Sequence, residues 1–258
     1  MSDKLRVLSL GAGIQSTALY LMAEKWEVKP DVAIFADTGF EPDPVYKHLE
    51  KLKSIGSIPI EIVSEGNIKK ETLDGVHSGK WFANMPFFVS NQKGKVGMIN
   101  RACTQHYKIK PIRKRIQELR LIHDVKKVEQ WIGISTDESH RAKTSNVKYI
   151  ENRFPLLELG LSRIHCIAYL KSIGWGETPK SSCIGCPFHS DAFWIEMKNQ
   201  RPEEFAEAID FDNKIRKYCR VKGKAFLHRS GKPLSNVVFL HEYQNELFKF
   251  ECEGMCGV

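Results

Sequence analysis

The amino-acid sequence predicts an α/β protein built on a doubly wound, mostly parallel sheet. Short apolar runs alternate with stretches of helical period, which is typical of parallel strands joined by crossover helices. The first apolar run leads into a glycine-rich turn, and the second ends at a polar turn that begins with Asp37. Beyond about residue 150 the alternation gives way to helices and an irregular, cysteine-bearing C-terminal region.

The elements of the first half follow from these apolar runs. Residues 5–10 form a short apolar strand, and residues 15–25 carry apolar side chains at helical spacing. Residues 31–36 and 59–63 are predicted to be buried strands, and a helix over residues 44–54 joins them. Each strand is short and almost wholly apolar, as expected for a sheet covered on both faces.

The second half is more irregular. Residues 77–101 are rich in glycine, asparagine and aromatic residues, which indicates a lid or binding loop. A basic helix over residues 105–121 precedes a strand over residues 128–134. Further helices are predicted over residues 163–173, 191–199 and 202–218. We expect a nucleotide-binding domain over residues 1–150, with a helical, cysteine-rich region over residues 151–258 packed on it.

Composition and charge narrow the class of protein. A chain of 258 residues with 42% hydrophobic and 27% charged residues can bury a core without disulfides, which excludes global disorder. No apolar run approaches the roughly 20 residues that span a bilayer, and the polar start does not resemble a secretory signal. We therefore expect a cytoplasmic protein with no membrane partner. The net charge of +8 favours an anionic partner, either a phosphorylated small molecule or a nucleic acid.

Positive charge is densest on the predicted basic helix. The residues concerned are Lys108, Lys110, Arg113, Lys114, Arg115 and Arg120. A charge run of this kind is most often an ordinary solvated helix face. A nucleic-acid contact is the alternative.

The glycine-rich turn over residues 9–17 has the features of a phosphate-binding loop. Gly11 and Gly13, between a buried strand and a helix, let the backbone approach a phosphate closely. The N–H groups of the helix start would bind it, and Ser16 and Thr17 would add hydroxyls. The turn is not a Walker loop, and Ser16 stands where a dinucleotide fingerprint has its third glycine. Asp37 could still bind a ribose, which leaves a Rossmann interpretation open.

Three of the seven cysteines suggest a metal centre. In a reducing compartment, paired cysteines favour metal or redox chemistry over structural disulfides. Cys183 and Cys186 are spaced to chelate one centre, and Cys103 would be a third ligand brought in by the fold. The pair could instead be a redox dithiol. Cys166 and Cys219 are interpreted as core or incidental residues.

The chain ends in a segment that contains Cys252 and Cys256, flanked by Gly254 and Gly257. A free thiol is only a few per cent thiolate at neutral pH, so a nucleophile needs cationic neighbours or a helix end. Glycines would allow this segment to bring a cysteine into a positively charged site. Either cysteine, His106 or a substrate atom could also fill the fourth position at the metal.

Taken together, these stretches resemble the phosphoadenosine phosphosulfate (PAPS) reductase family, a branch of the PP-loop, or adenine nucleotide alpha hydrolase-like, superfamily. Residues 9–19 are similar to the modified phosphate loop, and residues 36–41 to the Asp-Thr-Gly segment after the second strand. Residues 133–141 resemble a strand-end motif that closes with an anion-binding arginine. Residues 154–156 and 183–188 are similar to the downstream region of cluster-containing members.

The resemblance implies an adenine nucleotide under the phosphate loop, either PAPS, adenylyl sulfate (APS) or ATP with Mg²⁺. It implies a 4Fe-4S cluster on Cys103, Cys183 and Cys186, with zinc as the alternative metal. It further implies that Cys252 or Cys256 attacks the sulfur of a sulfonucleotide and that a thioredoxin-like reductant then releases sulfite. The residues expected at the nucleotide are Ser9, Gly11, Ala12, Gly13, Gln15, Ser16, Thr17, Asp37, Thr38, Gly39, Arg101, Lys108, Gly133 and Arg141.

The sequence also departs from the family pattern. Arg101-Ala102-Cys103-Thr104 stands where cluster-containing adenylylsulfate reductases have a Cys-Cys pair. The terminal segment reads Glu-Cys-Glu-Gly rather than Glu-Cys-Gly-Leu-His. The loop also lacks the Ser-Gly-Gly and Asp that are typical of ATP-cleaving members.

Three functions are compatible with these features. The leading hypothesis is a sulfonucleotide-reductase-like enzyme. The second is ATP-dependent sulfur transfer to a nucleic acid, as in tRNA thiolation or DNA phosphorothioation. The third is a non-catalytic module that binds a nucleotide and a cluster. In each case we expect a homo-oligomer.

Overall fold

The computed structural model describes residues 4–78, 85–91, 93–217 and 221–240. Eight strands lie in these ranges: β1 (Lys4–Ser9), β2 (Val32–Asp37), β3 (Ile60–Ser64), β4 (Phe88–Ser90), β5 (Val96–Met98), β6 (Lys127–Ile132), β7 (Ile150–Arg153) and β8 (Lys224–Phe226). The helices are α1 (Ile14–Ala23), α2 (Asp43–Ile55), α3 (Ile68–Ser78), α4 (Lys110–Ile122), α5 (Pro155–Glu158), α6 (Arg163–Ser172), α7 (Asp191–Gln200) and α8 (Pro202–Lys214). A π-helical turn, Gln105–Ile109, leads directly into α4.

Five of the strands form a wholly parallel sheet in the order β3-β2-β1-β6-β7. The chain moves outward from β1 to β3 on one side and then returns to place β6 on the other side of β1. The strand order therefore reverses between β1 and β6. In open parallel sheets, ligands bind beyond the carboxyl ends of the strands at such a switch point.

Helices cover both faces of this sheet. Leu8 and Leu10 point to the face that α1, α2 and α6 cover, whereas Leu5 and Val7 point to the face that α4 covers. All four of these side chains are buried. Full burial of such a side chain stabilises the fold by about 1.5–3 kcal/mol. The two apolar faces of the sheet therefore hold the helices on both sides of it.

The C-terminal region packs beside the carboxyl edge of the sheet. α7 and α8 enclose a second core that includes Trp194, Phe211 and the pair Cys183 and Cys186. β8 joins β4 and β5 in a small antiparallel sheet. The fully buried Asp212 accepts hydrogen bonds from the backbone N–H groups of Leu227 and Leu234, which ties this region together.

The predicted fold class is confirmed, since the main sheet is parallel and flanked by helices. The division near residue 150 stays a prediction, and Ile150 is the first residue of β7 in the main sheet. Residues 77–101, expected to be irregular, contain β4 and β5. In the described part of the chain, no helix is both long and apolar enough to cross a bilayer.

Candidate functional site

The turn between β1 and α1 takes an unusual backbone conformation. Ala12, between the two glycines, has a φ of 58° and is fully buried. The left-handed region is costly for a residue with a Cβ, so the surrounding structure must hold this turn in place. Gly13 caps α1, and no side chain caps the helix start. The first N–H groups of α1 are thus the donors that this turn offers to an anion.

The predicted polar residues of the loop are buried and engaged with protein atoms. Ser16 Oγ donates to Gly13 O at 3.2 Å, and Thr17 Oγ1 lies 2.9 Å from His48 Nε2. Burial, with a smaller contribution from Lys51, lowers the pKa of His48 to about 4, so this imidazole is neutral at pH 7. Ser9 Oγ accepts a hydrogen bond from Gln130 Nε2 at 2.6 Å. These side chains fix the shape of the loop, and the backbone N–H groups of the loop are the donors available to a phosphate.

The strand end after β6 lies directly against the loop. A Cβ on Gly133 would stand 3.1 Å from both Cα and N of Ser16, so any larger residue would push the backbone of Ser16 away by a few tenths of an ångström. Gln15 Nε2 donates to Glu138 Oε2 at 3.4 Å. Gln15 Oε1 in turn accepts a hydrogen bond from Arg163 Nη1 at 3.4 Å.

Two arginines accompany this strand end. Arg141, predicted as an anion ligand, pairs with Glu138 at 2.7 Å. Arg163, which begins α6, was not predicted from the sequence, because it lies 148 positions from its partner Gln15. Its backbone N–H also donates to Asp137 Oδ1 at 2.8 Å. The structure thus gathers Gln15, Gly133, Arg141 and Arg163 around the switch point.

The turn after β2 has a structural role of its own. Asp37 Oδ1 accepts hydrogen bonds from Gly39 N at 2.8 Å and from Tyr46 Oη at 2.9 Å. Gly39 has a φ of 68°, and a Cβ there would collide with Asn67. Asp37 therefore fixes this turn. Thr38, predicted at the nucleotide, instead lies with its Oγ1 3.2 Å from Cys183 Sγ.

The three predicted metal ligands line one small cavity. Its polar lining residues are Thr38, Arg101, Cys103, Thr104, Lys108, Cys183 and Cys186. The remaining lining residues, Ile68, Met85, Pro86 and Phe188, are apolar. Arg101 and Lys108, both expected at the nucleotide, thus lie with the cysteines. Arg101 also stacks on Phe188, 5.6 Å from the ring centre.

The loop of Cys183 and Cys186 is held rigidly. Ile184 N donates to Phe40 O at 2.8 Å, and His189 Nε2 lies 2.9 Å from Cys183 O. A Cβ on Gly185 would stand less than 3 Å from the rings of Phe40 and Phe211, so the glycine permits close packing. Burial raises the pKa of the Cys183 thiol well above its usual value; the nearby Glu41 raises it further, and Lys108 acts in the opposite direction.

Glu41 is a functional candidate that the sequence did not single out. Its side chain is fully buried and lies 3.5 Å from Lys108 Nζ through Oε1. The same oxygen accepts hydrogen bonds from Thr38 Oγ1 at 3.0 Å and from Cys183 Sγ at 3.8 Å. The only signal in the sequence was its place at the end of the 36–41 segment, because its partners come from distant parts of the chain.

The donor set fits an iron–sulfur cluster in chemical terms. Thiols in a mostly apolar pocket beside cationic side chains suit a cluster whose thiolate ligands are anionic. Within the described ranges, no three His, Cys, Asp or Glu side chains are arranged to hold a single metal ion. Cluster ligands bind different irons, so thiols that share a cavity need not converge on one point.

The other cysteines divide into two groups. Cys166 is fully buried in the core under α1 and α6, and burial raises its pKa to about 12, so its interpretation as a core residue is confirmed. Cys219, Cys252 and Cys256 lie outside the described residues, and the nucleophile prediction for the last two therefore stays a prediction.

These features define an α/β protein with a glycine-rich loop at the switch point of a parallel sheet and a cysteine-lined cavity at the neighbouring strand end. No protein-family model matches the chain, and no curated protein matches it significantly. The solved structures that are similar to this chain include a reductase and a thiolase.

The first is the phosphoadenylyl-sulfate (PAPS) reductase from Candida auris in its phosphate complex. It is 15% identical with a TM-score of 0.44, over 70% of this chain and 76% of that chain. The second is the U34-tRNA thiolase NcsA from Methanococcus maripaludis with its 4Fe-4S cluster. It is 13% identical with a TM-score of 0.41, over 100% of this chain and 82% of that chain. Both identities are low, and neither similarity identifies the function of this chain.

Proposed function

We propose that this chain is an enzyme that binds an adenine nucleotide at the β1–α1 loop and performs sulfur chemistry beside an iron–sulfur cluster. The observation that supports this most is the cavity shared by Cys103, Cys183 and Cys186, which are far apart in the sequence. Thr38, from the turn after β2, lines the same cavity. The phosphate loop and the cysteines therefore occupy neighbouring strand ends at one edge of the sheet.

The nucleotide's phosphates would lie at the start of α1. The backbone N–H groups of the loop would donate to them, and Arg141 and Arg163 would balance their charge. Gln15 would hold Arg163 in place through the contact that the two side chains already make. Several donors must act together, because one helix-terminus contact contributes only about 0.3–1 kcal/mol.

Cys103, Cys183 and Cys186 would hold the cluster. When bound, it would supply an electrostatic element that stabilises an anionic sulfonucleotide. Arg101 and Lys108, which line the same cavity, would face the sulfate group. The apolar wall formed by Ile68, Met85, Pro86 and Phe188 would exclude water and strengthen these charge interactions.

Cys252 or Cys256 would be the nucleophile. Its thiolate forms a bond to the sulfur of the sulfonucleotide, and the bond from that sulfur to the phosphate oxygen breaks, so the nucleoside phosphate leaves with the electron pair. A dithiol of the thioredoxin type then attacks the cysteine sulfur. Sulfite leaves with the electron pair of the cleaved S–S bond, and the dithiol is oxidised to a disulfide.

Anaerobic purification followed by nucleotide assays tests this proposal. We expect a brown protein with about four irons per chain that releases sulfite from APS or PAPS when a thioredoxin-like dithiol is present. The double variant Cys252→Ala/Cys256→Ala should lose sulfite release and keep its iron. Pyrophosphate release from ATP without sulfite release would indicate a sulfurtransferase and not a reductase. A protein without iron would overturn the cluster assignment.

A further inference from the structure

One oxygen of Glu41 has no role in the contacts described so far. The side chain has no exposed surface, and its Oε1 takes all three contacts, with Thr38, Lys108 and Cys183. Its Oε2 is buried and makes no hydrogen bond within the described part of the chain. A buried polar atom left without a partner costs about 1–3 kcal/mol, so such an atom needs an explanation.

Asp212 shows what a purely structural carboxylate looks like in this protein. It is also fully buried, yet both of its oxygens are used. Oδ1 accepts a hydrogen bond from Leu227 N at 2.8 Å, and Oδ2 accepts one from Leu234 N at 3.0 Å and pairs with Arg216. Glu41 differs because its Oε2 stays unsatisfied, next to the Oε1 that contacts three side chains of the cysteine cavity.

We propose that Glu41 is the fourth protein ligand of the cluster and binds iron through Oε2. This inference rests on the proposed function, because it presupposes a cluster on Cys103, Cys183 and Cys186. Three thiolates leave one iron of a four-iron cluster without a protein ligand. Among the described residues that line the cavity there is no His, Asp or Glu, and Glu41 touches Thr38, Lys108 and Cys183 of that lining.

An oxygen ligand gives the fourth iron a distinct chemistry. A carboxylate is a harder donor than a thiolate and suits the cluster irons less well, so the fourth iron is the one most easily exchanged. Glu41 would therefore hold its iron less firmly than the three cysteines would hold theirs. Lys108 balances the charge of the carboxylate, which allows an anion to be buried beside three thiolates.

A set of matched variants tests the assignment after anaerobic cluster reconstitution. Glu41→Gln keeps the size of the side chain and removes its charge, whereas Glu41→Cys supplies a thiolate. Glu71→Gln is the control, because Glu71 is close to the same region but accepts a hydrogen bond from Tyr107 Oη at 2.6 Å. Iron per chain and the electron paramagnetic resonance spectrum are recorded before and after a timed exposure to an iron chelator.

We expect the fourth iron to leave the Glu41→Gln protein at least about tenfold faster than the unaltered protein, with the spectrum of a three-iron cluster appearing. Glu41→Cys should hold the fourth iron more firmly, and Glu71→Gln should behave like the unaltered protein. Equal release from the unaltered, Glu41→Gln and Glu41→Cys proteins, all with four irons at the start, overturns this inference alone. An unaltered protein that takes up no iron overturns the cluster of the proposed function as well.

Discussion

The two strand ends of the candidate site are built in opposite ways. The phosphate loop after β1 comes from one continuous stretch, and its polar side chains are satisfied by neighbouring protein atoms. The cysteine cavity is assembled from distant parts of the chain, residues 38, 68, 85–86, 101–108 and 183–188, and its chemistry resides in side chains. A carboxylate with an unsatisfied oxygen, Glu41, lies beside it. The loop presents a rigid backbone, whereas the cavity presents reactive groups.

This contrast indicates how each part should respond to change. Substitutions near the loop act through its shape, so they should weaken nucleotide binding by moderate factors. Substitutions in the cavity remove ligands, so they should abolish a cluster and leave the nucleotide site intact.

The largest effect is expected at Cys183, one of the two buried cysteines among the proposed ligands. Cys183→Ser should reduce the iron content from about four per chain to a small fraction of that amount, because a hydroxyl replaces a thiolate ligand. The affinity for a nucleotide without a sulfate group should change less than about twofold, since the described contacts of Cys183 are with Thr38 and Glu41 and not with the loop. Iron analysis and nucleotide titration of the same preparation check both parts.

Cys166→Ser is the matched control for this experiment. Cys166 is also buried but lies in the core under α1, away from the cavity. It should lower stability and keep the iron. Equal iron loss in both variants would mean that the effect arises from unfolding, and the separation of the two sites would then fail.

The sequence predicted the loop better than the cavity for a physical reason. Strand, turn and helix are adjacent in the chain, so local patterns define the phosphate loop. Glu41 and Arg163 were missed because their partners are distant in the sequence and only the fold brings them together. Thr38 and Lys108 are buried beside the cysteines because of the tertiary fold, and no local sequence pattern indicates this position.

The helices and strands show the same limit, since local sequence patterns do not reveal long-range pairing. β1 and β2 were predicted because each is a nearly continuous apolar run, and β3 and β6 because they carry shorter apolar stretches. β7 was missed because its four residues, Ile150–Arg153, are mostly polar. β4, β5 and β8 are three residues long and exist through pairing with one another, which no local pattern reveals. Helix α3, Ile68–Ser78, was missed because its charged first turn hides the apolar face that packs on the second core.

The second largest effect concerns acid stability at the base of the loop. The pKa of His48 is about 4 in the folded protein, below its ordinary 6.5, so the unfolded chain binds the extra proton between these pH values. The stability that the neutral imidazole provides is complete above pH 6.5 and is lost as the pH falls toward 4, by about 3 kcal/mol. His48→Gln should show a correspondingly smaller loss in urea unfolding across this range.

An exposed histidine separates this local effect from general acid destabilisation. His123→Gln removes a solvent-facing imidazole and should retain the pH dependence of the unaltered protein. If His48→Gln also retains it, the contact between His48 and Thr17 does not govern the acid response.

A smaller effect is expected at Gly133, where the two sides of the switch point touch. In Gly133→Ala the new methyl group must displace the backbone of Ser16, which should cost about 1–3 kcal/mol of stability. The shifted helix start should weaken nucleotide binding about tenfold, a change of about 1.4 kcal/mol. Gly97→Ala, whose Cβ meets nothing within 4 Å, is the control. Equal nucleotide affinities in the two variants would contradict a loop that acts through its shape.

The smallest effect is expected on α4, the basic helix that suggested a nucleic-acid partner. Lys110 pairs with Glu65, and Arg115 pairs with Glu61 at 2.6 Å, so much of this charge is balanced within the protein. Exposed pairs of this kind contribute about 0–1 kcal/mol, and Lys110→Gln/Arg115→Gln should lower stability only slightly. Because paired cations release few counterions from a nucleic acid, DNA or RNA affinity should depend weakly on salt. A logarithmic slope of about −0.9 for each phosphate contact, reduced in the double variant, would show that α4 binds nucleic acid after all and would favour sulfur transfer over sulfonucleotide reduction.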